Sequence, residues 1–231
     1  KGYLFEPGIN IPLLIYNPFN KENKVINDLV TVTDLTATIL NYAGIDKPKY
    51  MTGNSFLKDD FNRKYVYAAR DQWDEIMDKS RAIVTKKWKY IRNYKPEIPY
   101  DAGQAYLEFY RPAVHIMRTA KTKNLLTNAQ LHFFKESKDL EELYDLENDP
   151  HEINNLALDP SFQNVMNKFR IDMEEYNERY RPMSDEYEPI IAESVVIFEW
   201  VKKNRPEEYK RMQEGYEIGF SKSKDEYYKN N

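Results

Sequence analysis

The chain contains no cysteine, so disulfides, thiol nucleophiles and cysteine-based zinc sites are all excluded. Histidine is almost as scarce. Only three are present among 231 residues (His115, His132 and His151), and their spacing fits no metal-ligand pattern. We therefore predict no metal site on this chain. No apolar run approaches the roughly 18 residues that cross a bilayer, so no transmembrane segment is predicted either.

The chain also lacks a strong excess of either charge. Its 34 Lys and Arg against 38 Asp and Glu give a formal net charge of −4, and the two signs are interleaved. This is not the electrostatic pattern of a nucleic-acid-binding protein, and no nucleic-acid partner is predicted. The hydrophobic fraction of 41% is enough for a core. The 19 tyrosines favour packing in a sheet first and a carbohydrate-facing surface second.

The N-terminal part predicts two short strands and one helix. Residues 12–16 form an apolar run without alternation, which is typical of a strand buried on both faces. Residues 29–32 predict a second strand. Thr33 or Asp34 then caps a helix that ends at Gly44 in the C′ position. Because the chain begins without methionine and enters core-like sequence almost at once, we expect it to be a piece of a longer protein, with further layers supplied upstream.

The middle of the chain predicts a small antiparallel sheet. Four segments with strand character are expected to pair, the second and third forming a hairpin that turns at Lys86-Lys87: residues 65–69, 81–85, 88–94 and 142–146. Between the third and fourth, residues 101–136 are predicted to be helical with a break at Pro112. Thr127 followed by Gln130 fits a capping box within that region.

The clearest predicted helix runs from Pro160 to Tyr180, with Asp159 as its N-cap. Apolar residues recur along it at three- and four-residue spacing: Phe162, Val165, Met166, Phe169, Met173, Tyr176 and Tyr180. Such a stripe predicts a helix that covers a sheet. A second amphipathic helix is predicted over residues 190–203, followed by a charged, tyrosine-rich tail.

Residues 141–157, EELYDLENDPHEINNLA, form a strand, a turn and the approach to this helix. Leu-Tyr-Asp-Leu followed by Asp-Pro-x-Glu and Asn-Leu-Ala also resembles the closing signature of the sulfatase family, in the alkaline phosphatase superfamily. Further segments resemble that family in its own order and extend the resemblance over about residues 1–180. They are KGYLFEPGINIPL (1–13), VTDLTATIL with AGI (32–45), GNSF (53–56) and RAI with KYIRNY (81–94).

The resemblance implies an α+β fragment. Residues 1–62 would be the C-terminal end of the α/β catalytic domain, and residues 63–181 the small subdomain with a four-stranded antiparallel sheet under a long helix. Residues 182–231 would be a charged helical extension.

It also implies hydrolysis of a sulfate ester or sulfamate by a formylglycine nucleophile with calcium. The nucleophile motif and the calcium ligands are absent from this chain, so both are expected upstream. Only Lys1 matches a catalytic position, the lysine that binds a sulfate oxygen.

The small subdomain of such enzymes contributes residues that bind the sugar. Here the best candidates lie in the segment 70–74, which follows the first predicted strand, where Arg70, Asp71 and Trp73 combine hydrogen-bonding groups with a stacking ring. The alternative for this segment is a surface loop with a local ion pair. His115 is a weaker candidate. The expected partners are a sulfated glycan and the upstream catalytic segment, and the expected location is periplasmic or extracellular. Resemblance to N-sulfoglucosamine or glycosaminoglycan sulfatases rests on Arg92-Asn93-Tyr94 and the long insertion 97–138.

Two other functions stay open at this point. One is a phosphonate or phosphate ester hydrolase of the same superfamily, which a different upstream nucleophile would indicate. The other is a non-catalytic module that binds carbohydrate or a protein partner.

Overall fold

The computed structural model describes residues 2–18, 23, 25–73, 76–104, 106–107, 111–179 and 194–213. Its helices and strands in chain order are α1 (Glu6–Ile9), α2 (Val32–Tyr42), β1 (Val66–Trp73), β2 (Ile76–Val84), β3 (Trp88–Asn93), α3 (Pro112–Thr122), α4 (Asn128–His132), β4 (Glu141–Asp145), α5 (Gln163–Arg179), α6 (Ser194–Asn204) and α7 (Pro206–Gln213). The predicted fold class, a small antiparallel sheet with helices, is confirmed.

The chain divides into two compact units. Unit 1 consists of residues 1–69, 81–92 and 141–179, and unit 2 of residues 70–80, 93–140 and 180–231. The first three strands contribute residues to each unit. The domain boundaries inferred from sequence stay a prediction.

The four strands form one sheet in the order β1-β2-β3-β4. The predicted hairpin between β2 and β3 is confirmed, and its turn is closed by Thr85, whose amide donates to the Trp88 carbonyl at 2.8 Å. β3 and β4 pair antiparallel, with Tyr90 opposite Leu143 and Ile91 opposite Glu142. This register places alternate residues on opposite faces of the sheet.

Each face of the sheet has its own apolar core in unit 1. On one face, Ile83, Tyr90 and Leu143 are buried against Met166, Phe169 and Met173 of α5. On the other face, Ala82, Ile91 and Tyr144 are buried with Leu4. The prediction that the long helix covers the sheet is therefore confirmed, and the segment around α1 covers the opposite face.

A buried lysine ties the segment around α1 to the sheet. Lys89 of β3 is fully buried, and its Nζ lies 2.7 Å from a carboxylate oxygen of Glu6 and 2.7 Å from one of Glu152. The second oxygen of Glu152 accepts the Glu6 amide at 2.5 Å. Burial raises the pKa of Glu152, while the Lys89 charge and the Glu6 amide oppose that rise. Because Glu152 also has a left-handed backbone (φ 54°), these contacts offset a locally unfavourable conformation.

A second cluster joins β4 to α5. Arg170 donates two hydrogen bonds to the Glu141 carboxylate, at 2.8 and 2.6 Å, and the Tyr90 hydroxyl donates a third at 2.6 Å. Arg92 lies 3.2 Å from the same carboxylate. These groups, Arg170 first, lower the pKa of Glu141 to about 2. The cluster therefore favours the ionised carboxylate strongly.

The N-cap of helix α2 lies two or three residues earlier than the two predicted caps. Thr31, rather than Thr33 or Asp34, is the N-cap, and the Asp34 carboxylate completes the capping box by accepting the Thr31 amide at 2.9 Å. The predicted helix end is confirmed, since Gly44 follows the C-cap Ala43 with φ 70°.

The two predicted N-terminal strands are wrong. Residues 11–17 have no regular structure and expose their apolar side chains, including Leu14 at 90% and Tyr16 at 83%. Residues 29–31 also lack a strand, and Val32 begins α2. An apolar run predicts burial only where other strands and layers are present to cover it. In the part of the chain that the structure describes, no strand pairs with either segment.

The other predicted helices agree with the structure over part of their length. α3 begins at Pro112, and the capping box of Thr127 and Gln130 at the start of α4 is confirmed, whereas residues 101–104 are not helical. Asp159 caps a short 3₁₀ turn (Pro160–Phe162) that leads into α5. α6 occupies the later part of the predicted 190–203 helix, whose first four residues lie outside the described ones. None of the described helices is both long and apolar enough to span a membrane.

Replacing Lys89 with methionine should lower the free energy of unfolding by about 3–5 kcal/mol, because the buried Glu152 carboxylate and the partly buried Glu6 carboxylate then lose their cation. Urea denaturation of the 231-residue chain measures this. The matched control is Lys86→Met, which removes an exposed ion pair with Asp28 (Nζ to Oδ1 2.8 Å) and should cost less than about 1 kcal/mol. Equal losses in the two variants would contradict a structural role for the buried cluster.

The Glu141 cluster predicts a specific acid sensitivity. Since folding lowers the pKa of Glu141 from 4.5 to about 2, its contribution is complete above pH 4.5 and is lost as the pH falls through 2. Glu141→Gln should therefore lower the free energy of unfolding at pH 7 by up to about 3 kcal/mol and flatten its acid dependence. Glu147→Gln, at a side chain 60% exposed, is the control. Retention of the full acid dependence in Glu141→Gln would disprove this assignment.

Candidate functional site

The predicted sugar-binding residues Arg70, Asp71 and Trp73 lie on β1. The prediction that the first strand ends at residue 69 is wrong, because β1 continues to Trp73, and the alternative of a surface loop is excluded for the same reason. Arg70 is buried and Asp71 is exposed, as alternation along a strand requires. Asp is depleted in strands, but pairing with β2 outweighs that local preference at Asp71.

Arg70 is held in a charged cluster of unit 2. Its Nε lies 3.5 Å from a carboxylate oxygen of Asp78 on β2. The other oxygen of Asp78 accepts a hydrogen bond from Lys138 Nζ at 2.5 Å and from the Lys79 amide at 2.8 Å. The side chains of Arg70, Asp78 and Lys138 are 8%, 2% and 1% exposed. Buried charges of this kind keep their geometry, because breaking one contact leaves another charge uncompensated.

Aromatic rings flank both cations of this cluster. The Arg70 guanidinium lies 5.4 Å from the centre of the half-buried Trp73 ring. Lys138 Nζ lies 5.8 Å from the Tyr100 ring, which in turn packs against His132 at 5.6 Å. Cation–π contacts hold the two rings in fixed orientations. The two cations of the cluster are therefore buried and engaged with Asp78, whereas the Trp73 ring is partly exposed to solvent.

The two remaining predicted site residues, His115 and Lys1, are not part of β1. His115 lies half-buried on α3, also in unit 2. Lys1, the predicted sulfate ligand, lies outside the described residues. The roles assigned to all five residues from sequence stay predictions.

The calcium ion that the sulfatase resemblance implies does not fit the described part of this chain. Among those residues, no group of three or more Asp, Glu, His or Cys side chains is arranged to hold a metal ion. The acidic side chains near the predicted site are engaged with cations instead, as Asp78 is with Lys138.

No pattern in the sequence marks Asp78, Lys138 or Tyr100 as members of the cluster around Arg70. Asp78 reaches Arg70 only when β1 and β2 pair, and Lys138 is 60 residues further along the chain. A buried Lys and Asp look like surface residues in sequence, so no local pattern distinguishes them.

The chain matches the family model described as N-sulphoglucosamine sulphohydrolase, C-terminal, over residues 1–102 and 98–179. It is 35% identical over 181 residues to an ulvan-active sulfatase of Formosa agariphila, covering 76% of this chain and 30% of that protein. It is 26% identical over 186 residues to the human N-sulphoglucosamine sulphohydrolase, covering 72% of this chain and 36% of that protein. The chain thus spans about a third of the length of these relatives.

Among solved structures, a 2-O GAG sulfatase superposes with a TM-score of 0.46 at 21% identity, covering 72% of this chain and 30% of that one. The family match extends over most of the chain and includes both the sheet and α5. The chain therefore belongs to the sulfatase family, as a member of its N-sulphoglucosamine sulphohydrolase C-terminal group.

Proposed function

We propose that this chain is the C-terminal part of an enzyme that hydrolyses sulfate esters or sulfamates of a sulfated glycan. The observation that carries this proposal is the family match over residues 1–102 and 98–179. The named activities of the relatives, an ulvan-active sulfatase and an N-sulphoglucosamine sulphohydrolase, support a sulfated polysaccharide or glycosaminoglycan as substrate.

The chemical step uses residues upstream of this chain. A formylglycine there would supply the nucleophile, and calcium would supply electrostatic stabilisation of the sulfate oxygens. From this chain, the Lys1 ammonium binds a sulfate oxygen. The Lys89 cluster supports this role, because it holds Glu6, five residues after Lys1, against the sheet.

In this proposal, residues of β1 bind the sugar of the substrate. Trp73 offers a ring face to the sugar, and the exposed carboxylate of Asp71 accepts hydrogen bonds from hydroxyls. Arg70, held by Asp78, orients the ring and adds a positive field for the anionic substrate. His115 on α3 contributes a further hydrogen-bonding group.

The upstream catalytic segment is the partner of the N-terminal part of this chain. Large apolar side chains are exposed from residue 11 to residue 45: Ile11, Leu13, Leu14, Ile15, Tyr16, Val25, Ile26, Val32, Ile39, Tyr42 and Ile45. A concentration of exposed apolar side chains supports coverage by another layer. The enzyme acts in the periplasm or outside the cell, where sulfated polysaccharides are encountered.

The role of Trp73 is testable in the complete protein encoded by the gene. Trp73→Ala should raise KM for a sulfated oligosaccharide about tenfold with little change in kcat, because a ring that binds substrate and transition state equally affects binding alone. Trp200→Ala, at a tryptophan 56% exposed on α6, is the matched control and should leave both constants unchanged. An unchanged KM in Trp73→Ala would remove this residue from substrate recognition.

Lys1→Ala in the complete protein should lower kcat/KM by about 10²–10³, since it removes one donor to developing charge on the sulfate. Lys49→Ala, an exposed lysine elsewhere, controls for loss of charge. We also expect the 231-residue chain by itself not to hydrolyse an aryl sulfate. Turnover by that chain, with the purified preparation shown free of other sulfatases, would contradict the assignment of the nucleophile to the upstream segment.

A further inference from the structure

Unit 1 contains an open cleft of about 540 Å³ that includes none of the predicted substrate-binding residues. This volume lies within the range of small-ligand sites. The cleft is formed by the loop between α2 and β1, the start of β1 and the last residue of α5, Arg179. Two segments that are distant along the chain, residues 54–67 and the end of α5, therefore meet at it.

The loop side of the cleft is held in place by α2. Asp34, fully buried near the start of α2, forms a two-point ion pair with Arg63 and accepts the Asn54 amide at 2.8 Å. Burial alone would raise the pKa of Asp34, but the Arg63 and backbone hydrogen bonds outweigh it and the pKa is lowered. Gly53 packs so closely on Thr33 that a Cβ would lie 2.0 Å from its carbonyl oxygen. The loop is thus fixed before any ligand arrives.

Stacked tyrosines hold the opposite side. Tyr67 stacks on Tyr176 of α5 with ring centres 4.1 Å apart, and the Tyr65 ring lies 6.1 Å from Tyr67. The Tyr65 hydroxyl oxygen accepts a hydrogen bond from Lys168 Nζ at 2.5 Å. Burial, together with the charge of Asp172, raises the pKa of Tyr67, while Arg179 acts to lower it. The Tyr67 hydroxyl therefore stays protonated at neutral pH and can donate a hydrogen bond.

The charges that line the cleft are predominantly positive. Lys58, Lys64 and Arg179 are exposed, and none of the ion pairs found in the described part of the chain uses them. Asp60 is the acidic side chain of the lining, and Arg63 is already balanced by Asp34. The lining itself therefore carries a positive excess, which is reduced by the carboxylates of Asp172 and Glu175 on α5, since both act on Tyr67. Positive charges that are held around a concave surface attract anionic ligands.

We propose that this cleft binds a sulfated saccharide segment, with its anionic groups on Lys58, Lys64 and Arg179 and a sugar face against Tyr65 or Tyr67. A free inorganic anion would use the cations without the rings, and an uncharged sugar would use the rings without the cations. Cations and tyrosine rings together favour a ligand that carries both anionic groups and sugar rings. Binding at this cleft does not require sulfate hydrolysis. The binding proposal can therefore be tested separately from the proposed enzymatic function.

The experiment is a calorimetric titration of the 231-residue chain with a heparin-derived tetrasaccharide at 0.15 M salt. The unmodified chain should bind it more tightly than about 1 mM, and the double variant K58A/K64A should bind about tenfold more weakly, since exposed charge contacts contribute a few fold each. R179Q should weaken binding by a smaller factor. Thermal unfolding of each variant, followed by circular dichroism, confirms that these exposed substitutions leave the fold intact.

Controls separate the cleft from general charge attraction. The variant K49A/K203A removes two exposed lysines outside the lining and should bind the tetrasaccharide as the unmodified chain does. The N- and O-desulfated tetrasaccharide, inorganic sulfate and an oligothymidylate of equal charge should all bind at least tenfold more weakly. Equal weakening in K49A/K203A, equal affinity for the oligothymidylate, or no binding of the tetrasaccharide would each overturn the proposal.

Discussion

The position of the N-terminal segment depends on one buried cation. Lys89 has no exposed surface, and it is accommodated because Glu6 and Glu152 both approach its Nζ to 2.7 Å. A buried ammonium without a carboxylate partner would be strongly unfavourable, so the burial of Lys89 depends on Glu6 and Glu152. The contact joins three parts of unit 1: the segment around α1, strand β3 and the turn after β4. In a member of the sulfatase family, this brings the closing signature of the chain into contact with the segment that follows Lys1.

The same constraint explains what the sulfatase signature does physically. Leu143 and Tyr144 are completely buried on opposite faces of the sheet. Glu152, the glutamate of Asp-Pro-x-Glu, is a partner of Lys89, and Asn155 accepts the Leu143 amide at 3.0 Å through its side chain. The signature is therefore a structural element, and the chemistry proposed for the family depends on residues elsewhere.

Carboxylates that are buried or partly buried and have cationic partners recur at three further places. Asp34 holds Arg63 at the loop after α2, Glu141 holds Arg170 between β4 and α5, and Asp78 holds Lys138 in the cluster around Arg70. Each pair joins segments that are far apart in sequence. In the first and third, the fixed charges border a surface that we propose binds an anionic sugar. Fixed charges reduce the ordering that a flexible ligand site would otherwise require on binding.

The sequence by itself determined the class of fold, the hairpin turn at Lys86-Lys87 and the apolar face of α5. These depend on periodicity and on turn and cap residues, which are local properties of the chain. Only the tertiary structure decided that residues 12–16 are exposed and that β1 continues through Arg70. It also decided which buried cation meets which carboxylate. An apolar run or a charged residue has the same appearance in sequence whether or not another residue covers it. The covering residues are brought close by strand pairing, or they belong to segments up to 146 residues away, as with Glu6 and Glu152.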